Sequence, residues 1–422
     1  MKTHQFPRGS RALVIITALA CLSGAVPAQG NEGGDYVKVF DRLWSTVNEK
    51  FFDPRMNGVD WRGVRARYRP EAARLTNDEA FQALGTRMLG ELGVTHLRVT
   101  RPARTTAAIA GQTRRTLPVT TVRIDGVLYV KALRPDGADS GLRPGDRLSD
   151  LPTAAADATR VSINVEGCDG TPRTVDVALG PRSSIYEWRT LDSPGGERIG
   201  YFRLNRFDGE AAIAAADEAM AALADTDGLI LDLRGNTGGD SSAIHLLNYF
   251  TEGSRPAMIM YSRGALARLG RMPTPAEALQ SRKVLGGARF GNLVRGLLLG
   301  GGRVAAWTEG RGAAGYRRPV TVLVSGSTGS SGEAFAWGMK LLTPARLIGR
   351  TTGGALLSEE SFDLPEGWSV TLPTYGLWGP DGASYVDRPV TPHETVAVTR
   401  EDLCAARDRD MEAAFAHQDA AD

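Results

Sequence analysis

The chain has 422 residues, 42% hydrophobic and 23% charged, with a formal net charge of +2. That composition supports a sizeable apolar core, and the length fits two or three domains. A charge so close to balance calls for no nucleic acid and no strongly acidic partner.

The first residues, MKTHQFPRGSR, are basic, and ALVIITALACLSGAV is apolar, with VPA before Gln29. A basic stretch, a short apolar run and a small-residue site make a secretory signal peptide, predicted to be cleaved after Ala28. The apolar run is short for a membrane span. A lipoprotein signal at Ala18-Leu19-Ala20-Cys21 is the alternative, and lipid on Cys21 is the only membrane contact expected. The chain is therefore expected to be periplasmic or extracellular. Once Cys21 leaves with the signal, Cys168 and Cys404 remain, either as an oxidised pair or as two separate thiols. CxxC, HExxH and EF-hand spacings are all missing, so neither a metal nor another cofactor is expected.

Residues 32–100 read as a helical bundle. DYVKVFDRLWSTVNEKFF carries apolar residues at Val37, Phe40, Leu43, Trp44 and Val47, a helical stripe. WRGVRARYRPEAARL and NDEAFQALGTRMLGEL follow as two more helices, the last capped by Asn77. Residues 112–183 change to strands, LPVTTVRI, GVLYVKAL, RVSINVEG and TVDVALG, with GLRPGDRLSDL among them. From 184 to 404 strands and helices alternate, which argues an α/β core. RIGYFRL, GLILDL, PAMIMYS and VTVLVSG are its strands, and a glycine loop, RGNTGGD, follows GLILDL. Residues 263–303 interrupt this core with eight basic residues and one acid, Glu277. A lid over the core and a solvated loop both fit that segment. Residues 405–422 read as a C-terminal helix or polar tail.

STGSSGEAF, Ser327 to Phe335, opens a helix after a buried strand. Ser330-Ser331-Gly332-Glu333 is a capping box, which needs no catalysis. The same position also suits a nucleophile. A helix N-terminus offers free N–H groups and a positive dipole end. Ser330 could attack a carbonyl there while the Ser331 N–H holds the oxyanion, with Gly238 or Gly239 of RGNTGGD as the second donor. A serine nucleophile needs a base. Of the histidines, His4 leaves with the signal, His417 lies in the tail, His245 sits in a helix and His393 lies near the end. His96, in LGELGVTHLRVT, is favoured by position. No G-x-S-x-G elbow is present, so an α/β-hydrolase is not indicated.

Three stretches in order, LDLRGNTGG, VTVLVSGSTGSSGEAFAWGMK and ARLIGRTTGGA, resemble the C-terminal-processing (tail-specific) serine peptidases. FFDPRMNGVDWRGVRARYRPEA and LGELGVTHLRV look like their branch with the tricorn core and the retinoid-binding-protein-like repeats, and GLRPGDRLSDL resembles their PDZ-like module. The resemblance implies a ClpP/crotonase-like ββα core behind a helical bundle and a PDZ-like β domain. It departs from the processing branch in one respect: GRTTGGA puts Ala355 where that branch has its dyad lysine. Lys340 lies ten residues along the helix from Ser330, about 15 Å by helix rise. The tricorn-like branch instead pairs serine with a histidine preceded by a hydroxyl residue. By that likeness Ser330 is the nucleophile, His96 the base and Thr95 its hydroxyl partner. Ser331 and the GNTGG glycines would be the oxyanion donors. The branch's assisting acid falls near YVDRPVTP, where Val386 fills the glutamate's slot and Asp387 is the candidate, with Glu360 and Glu366 as alternatives. The implied activity is hydrolysis of a protein or peptide substrate, whose C-terminus the PDZ-like module could take up. A non-enzymatic binding protein for a peptide or hydrophobic ligand and an esterase on the same site are the rival readings.

Overall fold

The computed structural model describes residues 35–101, 115–134, 137, 139–149, 158–181, 186–287 and 289–420. The signal sequence with Cys21, and most of PTAAADATR, where a PDZ-like module would carry its binding helix, lie outside the described residues.

Three helices come first, Tyr36–Lys50 (α1), Trp61–Ala72 (α2) and Asp78–Gly90 (α3). Asp35, Asp60 and Asn77 cap them, each side chain accepting from a backbone N–H three residues on. Phe40, Leu43 and Val47 are buried, as the helical stripe requires. A short strand, Arg98–Thr100 (β1), follows. The bundle has no separate core. Its apolar face shares one cluster with Ile259, Tyr261, Trp368, Val370 and Trp378 from far along the chain.

A small β unit comes next. Its strands are Arg115–Thr116 (β2), Val119–Ile124 (β3), Val127–Leu133 (β4), Arg147–Leu148 (β5), Arg160–Glu166 (β6), Pro172–Ala178 (β7) and Gly180–Pro181 (β8). The strands β3 to β7 pair in sequence order as one antiparallel sheet. Alternation puts Val130, Leu148, Ile163, Val165 and Val177 on one face, where they form a core of their own.

The α/β core begins with Tyr186–Asp192 (β9), Arg198–Leu204 (β10), Gly209–Ala222 (α4), Gly228–Asp232 (β11) and Ala243–Leu247 (α5). Pro256–Ser262 (β12), Arg263–Leu269 (α6), Pro275–Leu279 (α7), Arg282–Val284 (β13), Phe290–Leu299 (α8) and Arg303–Trp307 (β14) follow. Then come Val320–Val324 (β15), Ser331–Leu342 (α9) and Arg346–Gly349 (β16). Glu360–Asp363 (β17), Ser369–Leu372 (β18), Tyr375–Trp378 (β19) and Glu394–Thr395 (β20) complete the strands. Arg400–Cys404 (α10) and Arg409–Asp419 (α11) are the last helices.

The central sheet has the order β20-β16-β15-β11-β10-β9 and is parallel except for β9. GLILD is buried along its whole length, as a strand covered on both faces must be. The basic stretch 263–303 is an ordered layer: β13 pairs with β14, and Leu293 and Leu297 enter the main core. Cys168 and Cys404 form a disulfide that ties the β unit to α10. Among the described residues no helix is long and apolar enough to cross a membrane.

Candidate active site

Parallel neighbours end at the same edge of a sheet. The loops that leave β11, β15 and β16 therefore meet, where open α/β sheets bind ligands. Backbone and side-chain bonds fasten them together. Ser325 Oγ donates to the Arg234 carbonyl at 2.6 Å, Thr328 Oγ1 to the Leu233 carbonyl at 2.8 Å, and the Gly329 N–H to the Asn236 carbonyl at 2.9 Å. The Gly353 N–H from the third loop reaches the Thr328 carbonyl at 2.9 Å.

Ser330 stands at the head of α9 with φ 51° and ψ −125°. A residue with a β-carbon rarely adopts that conformation and keeps it only where its surroundings impose it. Here they do. The Ser330 N–H is shared between the Ala355 carbonyl at 2.8 Å and Glu333 Oε2 at 3.2 Å. Glu333 is fully buried and also accepts from Thr352 Oγ1 at 2.5 Å, the Gly354 N–H at 2.7 Å and the Ala355 N–H at 2.8 Å. Burial pushes its carboxyl above the ordinary carboxylate range, and these hydrogen bonds pull the other way. The capping-box arrangement is present, yet the Glu333 N–H makes its hydrogen bond to the Ser330 carbonyl at 2.8 Å, and no side-chain cap bond holds the hydroxyl.

The glycine loop lies against this serine. Gly238 has φ 102° and Gly239 φ 141°. A Cβ on Gly238 would clash with Ser330, and one on Gly239 would run into the Phe207 carbonyl. The Gly238 N–H, expected as an oxyanion donor, is directed to Asn236 Oδ1 at 2.8 Å. Among the described residues the N–H groups of Gly239 and Ser331 carry no hydrogen bond.

Ser330, Ser331 and Gly239 line a cavity of about 520 Å³. Its walls include Ile244, Leu247, Met258, Met260, Phe335 and Leu377, and Glu359 and Glu360 stand among its lining. Among the described residues no lysine lines it, and Lys340 instead donates to the Thr391 carbonyl at 2.5 Å. A larger cavity, about 800 Å³, lies at the other end of α9 beside Leu341, Leu342 and Thr343, away from Ser330.

His96 is half-buried with φ 63°, and Thr95 Oγ1 lies 3.0 Å from its Nδ1. Burial pushes the imidazole below its ordinary range, while the Glu359 carboxylate pulls it up and Arg98 pulls it down. Arg98 and Glu359 form an ion pair, so the His96 segment meets the edge of the cavity that Glu359 lines. Among the described residues no hydrogen bond joins His96 to Ser330. Asp387 is exposed with φ 50° and makes no hydrogen bond or ion pair among the described residues. Val386, beside it, packs on the bundle's core. Glu366 is exposed, with φ 60°. Of the expected acids only Glu360 lines the cavity. His245 is engaged by Asp217 at 2.7 Å, and His393 takes the Leu347 N–H at 3.0 Å, so both are held by neighbours outside this cavity.

A strained serine at a helix head, two open N–H groups and an apolar cavity form one arrangement. Residues 198–396 match the family model for peptidase family S41, and residues 35–90 match the tricorn protease C1 domain. The α/β core is a family S41 peptidase domain. Among curated proteins the chain is 24% identical over 410 residues to tricorn protease homolog 1 of Streptomyces coelicolor, covering 93% of this chain and 36% of that one. It thus spans about a third of that relative's length. It is 23% identical over 394 residues to the carboxyl-terminal-processing protease of Synechocystis sp., covering 84% of this chain and 81% of the relative. Among solved structures, the photosystem II D1 C-terminal processing protease shares the fold with a TM-score of 0.55 at 18% identity, over 87% of this chain and 96% of that one.

Several residues of this S41 core were not singled out from sequence. Asn236, fully buried, orients the glycine loop by accepting from the Gly238 N–H and donating to the Leu204 carbonyl at 3.2 Å. Arg234 locks the same loop from outside, pairing with Asp232 at 2.7 Å, Asp408 at 2.6 Å and Asp410 at 2.9 Å. Lys131 of β4 lies 3.6 Å from Asp410 in the same cluster. The motif RGNTGG holds two of these residues, but the partners of Arg234 near residue 410 leave no local mark.

Proposed function

We propose that this chain is an exported serine peptidase in which Ser330 attacks the peptide carbonyl. The observation that carries the reading is the backbone at Ser330: a strained nucleophile position facing a cavity, beside two unbonded N–H groups. The N–H groups of Ser331 and Gly239 hold the developing oxyanion. Gly238 supports the serine from below, its own N–H being taken by Asn236. His96 removes the serine proton through Nε2 and returns it to the leaving amine, with its Nδ1–H donated to Thr95. Glu359 or Glu360 is better placed than Asp387 to act on this end of the site. The substrate is a protein or peptide, and the β unit can take its C-terminus along a sheet edge, β3 or β7. Export is supported by the leader-like N-terminus and by the Cys168–Cys404 disulfide, which suits an oxidising compartment.

A fluorophosphonate probe tests this reading on wild type, Ser330→Ala and His96→Ala. Labelling of wild type that is lost in both variants is the expected result. A folded wild type that takes no label would overturn it and favour a binding protein on the same fold. Activity on esters but not peptides would make it an esterase.

A further inference from the structure

The basic layer carries a surface that the peptidase reading does not use. Leu298 is 78% exposed and Leu299 61%, the two most exposed large hydrophobic residues among those described. They lie on the last turn of α8, and Arg295 shares their face at i−3 and i−4. The turn that follows, Gly300 to Gly302, is ringed by arginines. Arg268 donates to the Gly301 carbonyl. A Cβ on Gly300 would lie 3.1 Å from that of Arg282, and Arg303 starts the next strand. Arg268, Arg282, Arg295 and Arg303 are all exposed, and among the described residues none has an acidic partner.

From this juxtaposition we infer that the C-terminal end of α8 docks on an anionic lipid surface. The two leucines would enter the boundary between headgroups and acyl chains, and the arginines around them would reach the phosphates with their stems along the apolar layer. Each basic group near an anionic leaflet adds attraction that salt weakens. The exposed arginines around the two leucines, without acidic partners among the described residues, complement a negatively charged surface. The patch is also independent of Cys21, the only membrane contact the sequence suggests. The same helix begins at Phe290, which is 50% exposed and lines the cavity holding Ser330. Eight residues of helix separate Phe290 from Leu298, about 12 Å. Docking therefore holds the cavity close to the lipid and favours polypeptide segments that emerge beside a membrane.

Vesicle flotation tests this with the purified protein. Vesicles of phosphatidylcholine alone are compared with vesicles that also contain phosphatidylglycerol. The proteins are wild type, the pair Leu298→Ser with Leu299→Ser, and the pair Arg282→Glu with Arg295→Glu. All three share one N-terminus, so differences between them report the patch. Fluorophosphonate labelling and tryptophan fluorescence establish that the variants are folded. Wild type is expected to float with phosphatidylglycerol vesicles at low salt and to be released as salt rises. Each paired variant is expected to lower the partition coefficient by about tenfold or more. A wild type that stays with the soluble fraction, equal capture on both vesicle types, or variants that float as well as wild type would each overturn the inference. Self-association lost in the leucine pair, without vesicle binding, would overturn it in favour of a protein contact.

Discussion

Gly238 lies flush against Ser330: a β-carbon at 238 would clash with that of the serine and sit 3.0 Å from its hydroxyl oxygen. The glycine also holds φ 102°, which an alanine adopts only under strain. Gly238→Ala is expected to slow fluorophosphonate labelling by about a hundredfold or more and to destabilise the fold by about 1–3 kcal/mol. Gly235→Ala, in the same loop but with open space around it, is the control and should label at close to the wild-type rate. Equal labelling of the two variants would count against a Gly238 role at the serine.

Glu333 joins Ser330 to the loop at 352–355. Its carboxylate serves four donors, from Ser330, Thr352, Gly354 and Ala355. A glutamine presents an amide N–H₂ to some of those donors, and an alanine leaves all of them unmet in a buried place. Glu333→Ala should cost about 3 kcal/mol or more in urea denaturation, and Glu333→Gln somewhat less. Labelling of Ser330 should fall in both. An alanine variant as stable as wild type would reduce Glu333 to an ordinary cap residue.

The acid limb of the pH–kcat/KM profile reports the free enzyme's base. Burial lowers the pKa of His96, so that limb should lie below the ordinary histidine range. Glu359 stabilises the imidazolium, so Glu359→Gln should move the limb to still lower pH, and Arg98→Gln should move it up. The stability sign follows. The unfolded chain binds the proton more readily, so the stability that His96 contributes above its unfolded value is lost as pH falls from that value through the lowered folded one. A limb unaffected by either substitution would detach His96 from catalysis.

Burial also pushes the Lys131 ammonium down to about 8, Arg234 adding to the effect and Asp410 opposing it. Between that value and the ordinary lysine range the unfolded chain holds a proton that the folded chain has released. Stability from this group therefore rises with pH across that window. Lys131→Met should stabilise the protein at pH 7, with about 3 kcal/mol as the ceiling, and the gain should shrink at pH 10. Denaturation curves at the two pH values check this. Destabilisation at pH 7 would mean that the ion pair with Asp410 outweighs burial.

Much of the fold is legible in local patterns. Asn77 before an apolar stripe, GLILD before a glycine loop, and VTVLVSG before S-x-x-E each appear as helix cap, buried strand and helix start. What escapes is what depends on distant partners. Glu333 reads as a local box, yet three of its four donors come from residues 352–355. Arg234 reads as a loop residue, yet it is gripped by Asp408 and Asp410. RGALARLGR, in the segment that reads as solvated loop or lid, instead buries its own Ala265 and Leu266 in the bundle's core. Asp387 follows as the neighbour of a family slot, but Val386 in that slot packs on the bundle's core while Asp387 beside it is exposed with a positive φ.

The Cys168–Cys404 bond has a topological consequence. It closes a ring with a sequence separation of 236 that contains β10, the glycine loop, Ser330 and the whole central sheet, while His96 lies outside it. A single cut anywhere from 169 to 403 opens this ring and releases no fragment. A peptidase that nicks itself or is nicked by a neighbour within that span keeps its two pieces on one covalent thread, and they migrate together until a reductant parts them. A cut between His96 and Cys168 has no such tether, and leaves the base-bearing bundle joined to the serine-bearing ring by packing alone.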